Sequence, residues 1–123
     1  MDQKRILIIE DELDLLQLYK IALQNAGYRV HTSTNGFDGV QKAFEKNPDL
    51  ILLDLMMQKG DGQDVLSTIR LHDIGKEIPI IIISNLNPGT IDLSKRDDQI
   101  LDYWVKADLT PRSLVSRLKE YFA

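Results

Sequence analysis

The stretch 49-DLILLDLMMQKGDG-62 decides the fold class. Its four consecutive apolar residues, 50–53, are typical of a strand that is buried on both faces. The run ends on a carboxylate, Asp54, and polar, glycine-containing sequence follows it. A strand buried on both faces belongs to a parallel sheet that carries helices on either side. This stretch therefore predicts an α/β protein in which strands and helices alternate.

The rest of the chain shows that alternation. Residues with strand-like patterns occupy 5–10, 28–33, 49–54, 78–84 and 100–106. Residues with apolar side chains at helical spacing occupy 12–27, 36–47, 62–73 and 110–123. The alternation also places a short helix in residues 85–99, although Pro88 and Gly89 disfavour it. Five βα units in succession predict an open, three-layer α/β sheet with right-handed connections.

Helical spacing further predicts which side chains face the core. For the first helix the predicted core residues are Leu15, Leu18, Tyr19, Ala22, Leu23 and Ala26. For the second helix they are Phe37, Val40, Ala43 and Phe44. Gly27 is expected to end the first helix, while Thr110 and Pro111 are expected to begin the last one.

Composition narrows the function classes. The 123 residues suit one domain, 1–123, and 15 basic against 19 acidic residues leave a net charge of −4, which disfavours DNA binding. The absence of cysteine excludes disulfides, thiolate metal sites and thiol catalysis. The apolar runs are too short for a bilayer span or a secretion signal, so we expect a cytoplasmic protein without a membrane partner.

Polar residues follow several predicted strands at the point where each strand ends. They are Glu10 and Asp11, Asp54, Ser84 and Lys106. The carboxyl ends of parallel strands meet at one edge of a sheet, where ligands bind. Crowded carboxylates repel one another, and a hard divalent cation offsets that repulsion. The sequence therefore predicts a site for magnesium together with a phosphate-like group.

Three chemistries could use such a site. A mononucleotide binder needs a phosphate-binding loop after the first strand, but the loop EDELD at 10–14 would repel a phosphate. A magnesium phosphohydrolase with an aspartate nucleophile needs a second aspartate two residues later, where this chain has Met56. The third is an aspartate that itself accepts a phosphoryl group.

The segments ILIIEDE (6–12), DLILLDLMMQKGDG (49–62), PIIIIS (79–84) and DYWVKADLTP (102–111) together resemble the receiver domain of bacterial two-component response regulators. The resemblance covers the whole chain. It implies a flavodoxin-like (βα)5 fold with a five-stranded parallel sheet of order 2-1-3-4-5.

The resemblance also implies roles for individual residues. Asp54 would accept the phosphoryl group, and Mg²⁺, with Mn²⁺ as a substitute, would bind Glu10, Asp11, Asp54 and the backbone carbonyl of Met56. Ser84 and Lys106 would contact the phosphoryl group, and Tyr103 would be the aromatic switch residue. A receiver modifies itself, so it is not an enzyme in the turnover sense.

Partners follow from the same resemblance. The phosphoryl donor would be a sensor histidine kinase or a histidine phosphotransfer protein. The output would be binding to an unidentified downstream protein through the face formed by the predicted helix in 85–99, the last strand and the last helix. The other output would be a homodimer formed on phosphorylation. We expect a stand-alone receiver, since no DNA-binding module follows Ala123. The alternative is a binding module of receiver fold that signals without phosphorylation.

Several positions depart from the family pattern. Gln58 replaces a common proline, and Ala107 replaces a proline that forms a cis bond, so a trans bond is expected after Lys106. Asn85 is expected to narrow access to Asp54. Met56 and Leu86 are apolar and cannot orient a water molecule, so we expect the phosphorylated form to hydrolyse slowly.

Overall fold

The computed structural model describes residues 3–57, 62–85 and 100–123. Within these ranges five strands form one parallel sheet in the order β2-β1-β3-β4-β5, as predicted. The strands are β1 (Arg5–Ile9), β2 (Arg29–Ser33), β3 (Leu50–Asp54), β4 (Ile80–Ser84) and β5 (Ile100–Val105). β1, β3 and β4 each contain four consecutive apolar residues, and they occupy the three central places in the sheet.

The helices of the described ranges lie where the apolar spacing predicted them. They are α1 (Leu13–Asn25), α2 (Gly36–Glu45), α3 (Gly62–Leu71) and α4 (Pro111–Phe122), with a short 3-10 helix at Lys106–Asp108. The helix predicted in 85–99 lies outside the described residues except for Asn85, as do Gln58 and Leu86. No helix in the described ranges is long and apolar enough to cross a membrane.

Each face of the sheet carries its own core. On one face α1 and α4 cover alternate residues of the strands, including Ile8, Leu52 and Ile83. On the other face α2 and α3 cover the intervening residues, including Ile9, Leu53 and Ile82. Since strand side chains alternate between faces, each fully apolar strand contributes to both cores. The three-layer prediction is therefore confirmed.

Two predicted core residues are wrong. Leu18 in α1 is 54% exposed, and the neighbouring Leu16 packs in the core instead, together with Tyr19 and Leu23. Phe37, in the first turn of α2, is 92% exposed, whereas Ala43 of the same helix is buried against the sheet. α1 carries more apolar residues than one buried stripe can accommodate, so spacing alone does not identify its buried face.

Local signals at the helix ends are confirmed. Gly27 follows the end of α1 with φ 99°, a conformation that favours glycine. Thr110 caps α4 by accepting a hydrogen bond from the Ser113 backbone N–H, and the Ser113 hydroxyl in turn accepts from the Thr110 N–H. No described peptide bond is cis, so the bond after Lys106 is trans as expected.

Candidate functional site

Three carboxylates meet where β1 and β3 end. Glu10 and Asp11 directly follow β1, and Asp54 is the last residue of β3, its hydrogen-bonded neighbour. Each residue offers an oxygen, and these oxygens all lie within 4.8 Å of one another. Glu10 is fully buried and Asp54 is 1% exposed, whereas Asp11 is partly exposed. The predicted cluster thus forms, with one side open to solvent.

Lys106, which follows β5, reaches this cluster from two strands away in the sheet. Its Nζ donates to Glu10 Oε1 at 2.9 Å and to Asp54 Oδ2 at 3.1 Å. Glu10 Oε2 is also 2.9 Å from Nζ, so the ammonium lies against both oxygens of that carboxylate. Lys106 begins the 3-10 helix rather than ending β5, which corrects the predicted strand boundary. Its contact with Glu10, as close as that with Asp54, was not predicted from the sequence.

Backbone amides hold the two buried carboxylates in place. The Glu12 N–H donates to Glu10 Oε1, and the Met56 N–H donates to Asp54 Oδ1, each at 2.9 Å. The Glu10 N–H donates to the Ser33 carbonyl of β2 at 3.0 Å. Glu10 Oε2, although close to Lys106, accepts no hydrogen bond of good geometry from any described residue. The 2.9 Å contact between Glu10 Oε2 and Lys106 Nζ is therefore an ion pair without well-aligned hydrogen-bond geometry.

Burial and ion pairing act in opposite directions on the pKa values of Glu10 and Lys106. Burial raises the pKa of Glu10 to about 7, although the hydrogen bond from Lys106 and the amide of Glu12 oppose that rise. For Lys106, burial alone would lower the pKa, but the hydrogen bond to Glu10 and the negative charge of Asp54 raise it above its usual value. Lys106 therefore stays charged, and Glu10 binds a proton more readily than an exposed glutamate does.

The other predicted site residues lie at the end of β4, in the loop after β3 and on β5. Ser84 is the buried last residue of β4, and Asn85 after it is exposed. Met56, in the loop after β3, has a side chain that is 55% exposed. Tyr103 is half-buried and packs on the α2–α3 face of the sheet.

Trp104, the neighbour of Tyr103 in β5, faces the opposite side of the sheet. It packs in the core beneath α1 and α4. Its indole N–H donates to Asp102 Oδ2 at 2.8 Å, and the Arg117 guanidinium lies 5.3 Å from the ring centroid. Trp104 and Tyr103 therefore lie on opposite faces of β5, with Tyr103 on the α2–α3 face.

Two residues near the cluster were missed by the sequence analysis. Glu12 Oε2 lies 3.6 Å from Lys106 Nζ at the exposed side, and the acidic run at 10–12 was a signal for it. The Tyr19 hydroxyl is buried with no hydrogen-bond partner among the described residues. Burial raises the pKa of Tyr19, and the negative charge of Glu10 raises it further. Because Tyr19 falls in the apolar stripe of α1, the sequence indicated a core residue and not a buried hydroxyl without a partner.

Residues 6–118 match the sequence model of the response regulator receiver domain. The chain belongs to the response regulator receiver family. Receivers of this family act as phosphoacceptors in two-component systems, bind magnesium at an acidic pocket, and interact with histidine kinases or phosphotransfer proteins. The family and the fold predicted from the sequence are thereby confirmed, and the roles of individual residues remain predictions.

Similar proteins agree with this assignment. The transcriptional regulatory protein SrrA of Staphylococcus aureus (strain NCTC 8325 / PS 47) is 34% identical over 114 residues, which are 93% of this chain and 46% of SrrA. The chain thus spans about half the length of this curated relative.

Solved structures give the same picture. The response regulator TrrA of Thermotoga maritima, solved with Mg²⁺-BeF, is 32% identical with a TM-score of 0.79, over 96% of this chain and 98% of TrrA. Chemotaxis protein CheY4 of Vibrio cholerae, at 24% identity, shares the fold with a TM-score of 0.85, over 97% of this chain and 98% of CheY4.

Proposed function

We propose that this receiver accepts a phosphoryl group on Asp54 from a phosphohistidine of a sensor histidine kinase or a histidine phosphotransfer protein. One observation carries the proposal: Asp54 ends the central strand with two further carboxylates and one ammonium within reach of its own carboxylate. A buried carboxylate with so many charged neighbours needs a chemical reason, because burying charge costs free energy.

The chemistry needs positioning and charge neutralisation more than a strong nucleophile. An Asp54 oxygen forms a bond to phosphorus while the phosphorus–nitrogen bond of the donor breaks, and the bonding electron pair stays on the imidazole nitrogen. The Met56 amide and Lys106 hold the Asp54 carboxylate in a fixed orientation for this attack. Lys106 also offsets negative charge that spreads over the phosphoryl oxygens.

The donor set suits magnesium. Carboxylate oxygens are the ligands that this ion prefers, and it completes its coordination with phosphate oxygens and waters. Glu10, Asp11, Asp54 and the Met56 carbonyl would hold it, with Mn²⁺ as a substitute. The ion would neutralise phosphoryl charge when bound. The relative TrrA, solved with Mg²⁺-BeF, supports this assignment.

The phosphoryl group would then change partner binding. It adds charge and acceptor oxygens beside the Ser84 hydroxyl, which is buried at the end of the adjacent strand. Movement of Ser84 toward those oxygens would let Tyr103 shift inward from its half-buried position on β5. The partner is a downstream protein or, for a homodimer, a second phosphorylated copy.

A mass measurement tests the proposal. The protein is incubated with magnesium and a small acyl phosphate donor, and its intact mass is recorded. We expect one added phosphoryl group in the parent, none in Asp54→Asn, and one in the control Asp73→Asn, which alters a carboxylate that is 95% exposed.

The absence of an adduct with every donor would overturn the proposal in favour of the phosphorylation-independent binding module. Turnover of free phosphate esters would instead support a phosphohydrolase. These outcomes are separated by measuring protein mass and released phosphate in the same samples.

A further inference from the structure

Tyr19 of α1 buries its hydroxyl on the same face of the sheet as two of the clustered carboxylates. Its side chain is fully buried in the core beneath α1 and α4, together with Ile8 of β1 and Leu52 of β3. Glu10 and Asp54 lie two residues beyond Ile8 and Leu52 respectively. Because strand side chains alternate between faces, both carboxylates lie on the α1–α4 face, as Tyr19 does.

Helix geometry directs the Tyr19 side chain toward the cluster. α1 begins at Leu13, close to the carboxyl end of β1, and helical side chains tilt toward the N-terminus of their helix. From the second turn of α1 the ring therefore points to the end of the sheet that carries Glu10. Burial raises the pKa of Tyr19 most, and among the charged groups near the hydroxyl the negative charge of Glu10 raises it most.

Two buried oxygens at this end of the sheet lack a well-aligned hydrogen bond from any described residue. They are the Tyr19 hydroxyl and Glu10 Oε2. Oε2 is ion-paired with Lys106, and a carboxylate oxygen can accept from more than one donor. A buried hydroxyl without a partner costs free energy, and buried water commonly joins such groups to a nearby acceptor.

We propose that Tyr19 is a positioning residue of the site: its hydroxyl donates to one buried water, and that water donates to Glu10 Oε2. The bridge holds one oxygen of the Glu10 carboxylate from the α1 side, while the Glu12 amide holds the other. Both oxygens are then fixed in orientation. The kinetic test of this inference rests on the proposed function, whereas its stability and structural tests do not.

Removal of the hydroxyl distinguishes a bridged group from an isolated one by the sign of its effect. Tyr19→Phe keeps the ring and removes only the hydroxyl. Loss of a bridge to a carboxylate should raise the unfolding equilibrium constant about fivefold in urea titrations. Loss of an isolated buried hydroxyl should lower that constant instead, because an unsatisfied polar group leaves the core. An unchanged or lower constant would overturn the proposal.

Glu10→Met tests whether the effect of Tyr19 passes through Glu10. Methionine is a similarly long side chain without a carboxylate oxygen that could accept from the bridge. In the Glu10→Met background, Tyr19→Phe should leave the unfolding equilibrium constant unchanged or lower it. A fivefold increase in both backgrounds would overturn the proposal. The control is Tyr121→Phe, which removes the hydroxyl of an exposed tyrosine of α4 and should change the constant less than twofold.

Phosphorylation kinetics test the positioning role. At saturating magnesium and without urea, we expect Tyr19→Phe to gain its phosphoryl mass about tenfold more slowly than the parent, and Tyr121→Phe to keep the parent rate. An equal rate for Tyr19→Phe would overturn the positioning role, since a purely structural hydroxyl does not change the rate of the folded protein. A parent that gains no phosphoryl group would instead contradict the proposed function, and the urea titrations would still test the bridge.

A crystal structure of the parent protein tests the bridge without any variant. We expect an ordered water about 2.7–3.2 Å from both the Tyr19 hydroxyl and Glu10 Oε2. Electron density without a water in contact with both oxygens would overturn the bridge. Asp54 would still gain its phosphoryl mass in that case, so this failure is distinct from failure of the proposed function.

Discussion

At the scale of single residues, the neighbours of Asp54 set the orientation and the charge environment of its carboxylate. It is held by the Met56 amide and Lys106, and it lies beside the buried Glu10. One ammonium faces two buried carboxylates, so the cluster keeps an excess of negative charge. That excess favours a divalent cation, whose binding would stabilise the site.

The residues that border Asp54 predict a long-lived phosphorylated form. Met56 is largely exposed beside the cluster and carries no group that could orient a water molecule. We expect Met56→Asn to shorten the lifetime of phosphorylated protein about tenfold, which corresponds to ~1.4 kcal/mol of the barrier. The measurement is the decay of the phosphorylated mass after removal of the donor.

Met56→Leu is the matched control, and it should decay at the parent rate because it remains apolar. A parent protein that loses its phosphoryl group faster than Met56→Asn would contradict the prediction. Leu86, the other apolar residue in the same hypothesis, lies outside the described residues.

At the scale of elements, the strands were easier to predict than the helix faces. The strands β3 and β4 are apolar at each position before their terminal polar residue, so either face of each strand is buried. In α1, apolar residues point in several directions, and the sheet selects Leu16, Tyr19 and Leu23 among them. Spacing gave the helix itself but not its rotation about its axis.

Because α1 buries Leu16 and exposes Leu18, the same leucine-to-alanine substitution should reduce the free energy of unfolding by different amounts at the two positions. Leu16→Ala should destabilise the protein by about 2–5 kcal/mol, because it leaves a cavity in a fully packed core. Leu18→Ala should change the free energy of unfolding by less than about 1 kcal/mol, since its side chain is already half in solvent. Urea denaturation of both variants measures the two values.

Each variant serves as the other's control, because both make the same truncation in one helix. Equal losses of stability, or a larger loss for Leu18→Ala, would show that α1 presents a different face to the sheet.

At the scale of the whole molecule, the site exists because the strand order brings distant segments together. β1 and β3 are neighbours in the sheet, so Glu10 meets Asp54 although 43 residues separate them in the chain. β5 lies two places from β3, and the long side chain of Lys106 spans that gap. Unfolding separates all of these charges, so a ligand of the cluster binds only the folded state.

Magnesium should therefore raise the melting temperature of the protein. At a concentration about 100 times the dissociation constant, the expected stabilisation is ~2.7 kcal/mol. Thermal unfolding followed by circular dichroism, with and without magnesium, measures it. The shift should shrink in Asp11→Asn, which loses a ligand, and persist in Asp73→Asn, whose carboxylate lies outside the cluster.

An unchanged melting temperature at saturating magnesium would contradict the metal site. Sodium chloride at matched ionic strength separates specific binding from general screening of the carboxylates.

The sequence by itself determined the alternation of elements, the parallel sheet and the polar residues that end its strands. Hydrophobic period and helix-capping residues are local properties, so they can be recognised without knowing what a segment packs against. The tertiary structure alone decided that Leu16 rather than Leu18 is buried, that Phe37 is exposed, and that Lys106 lies against Glu10 as well as Asp54. These outcomes depend on helix rotation and on side-chain reach across the sheet, which are set by contacts between residues far apart in the chain.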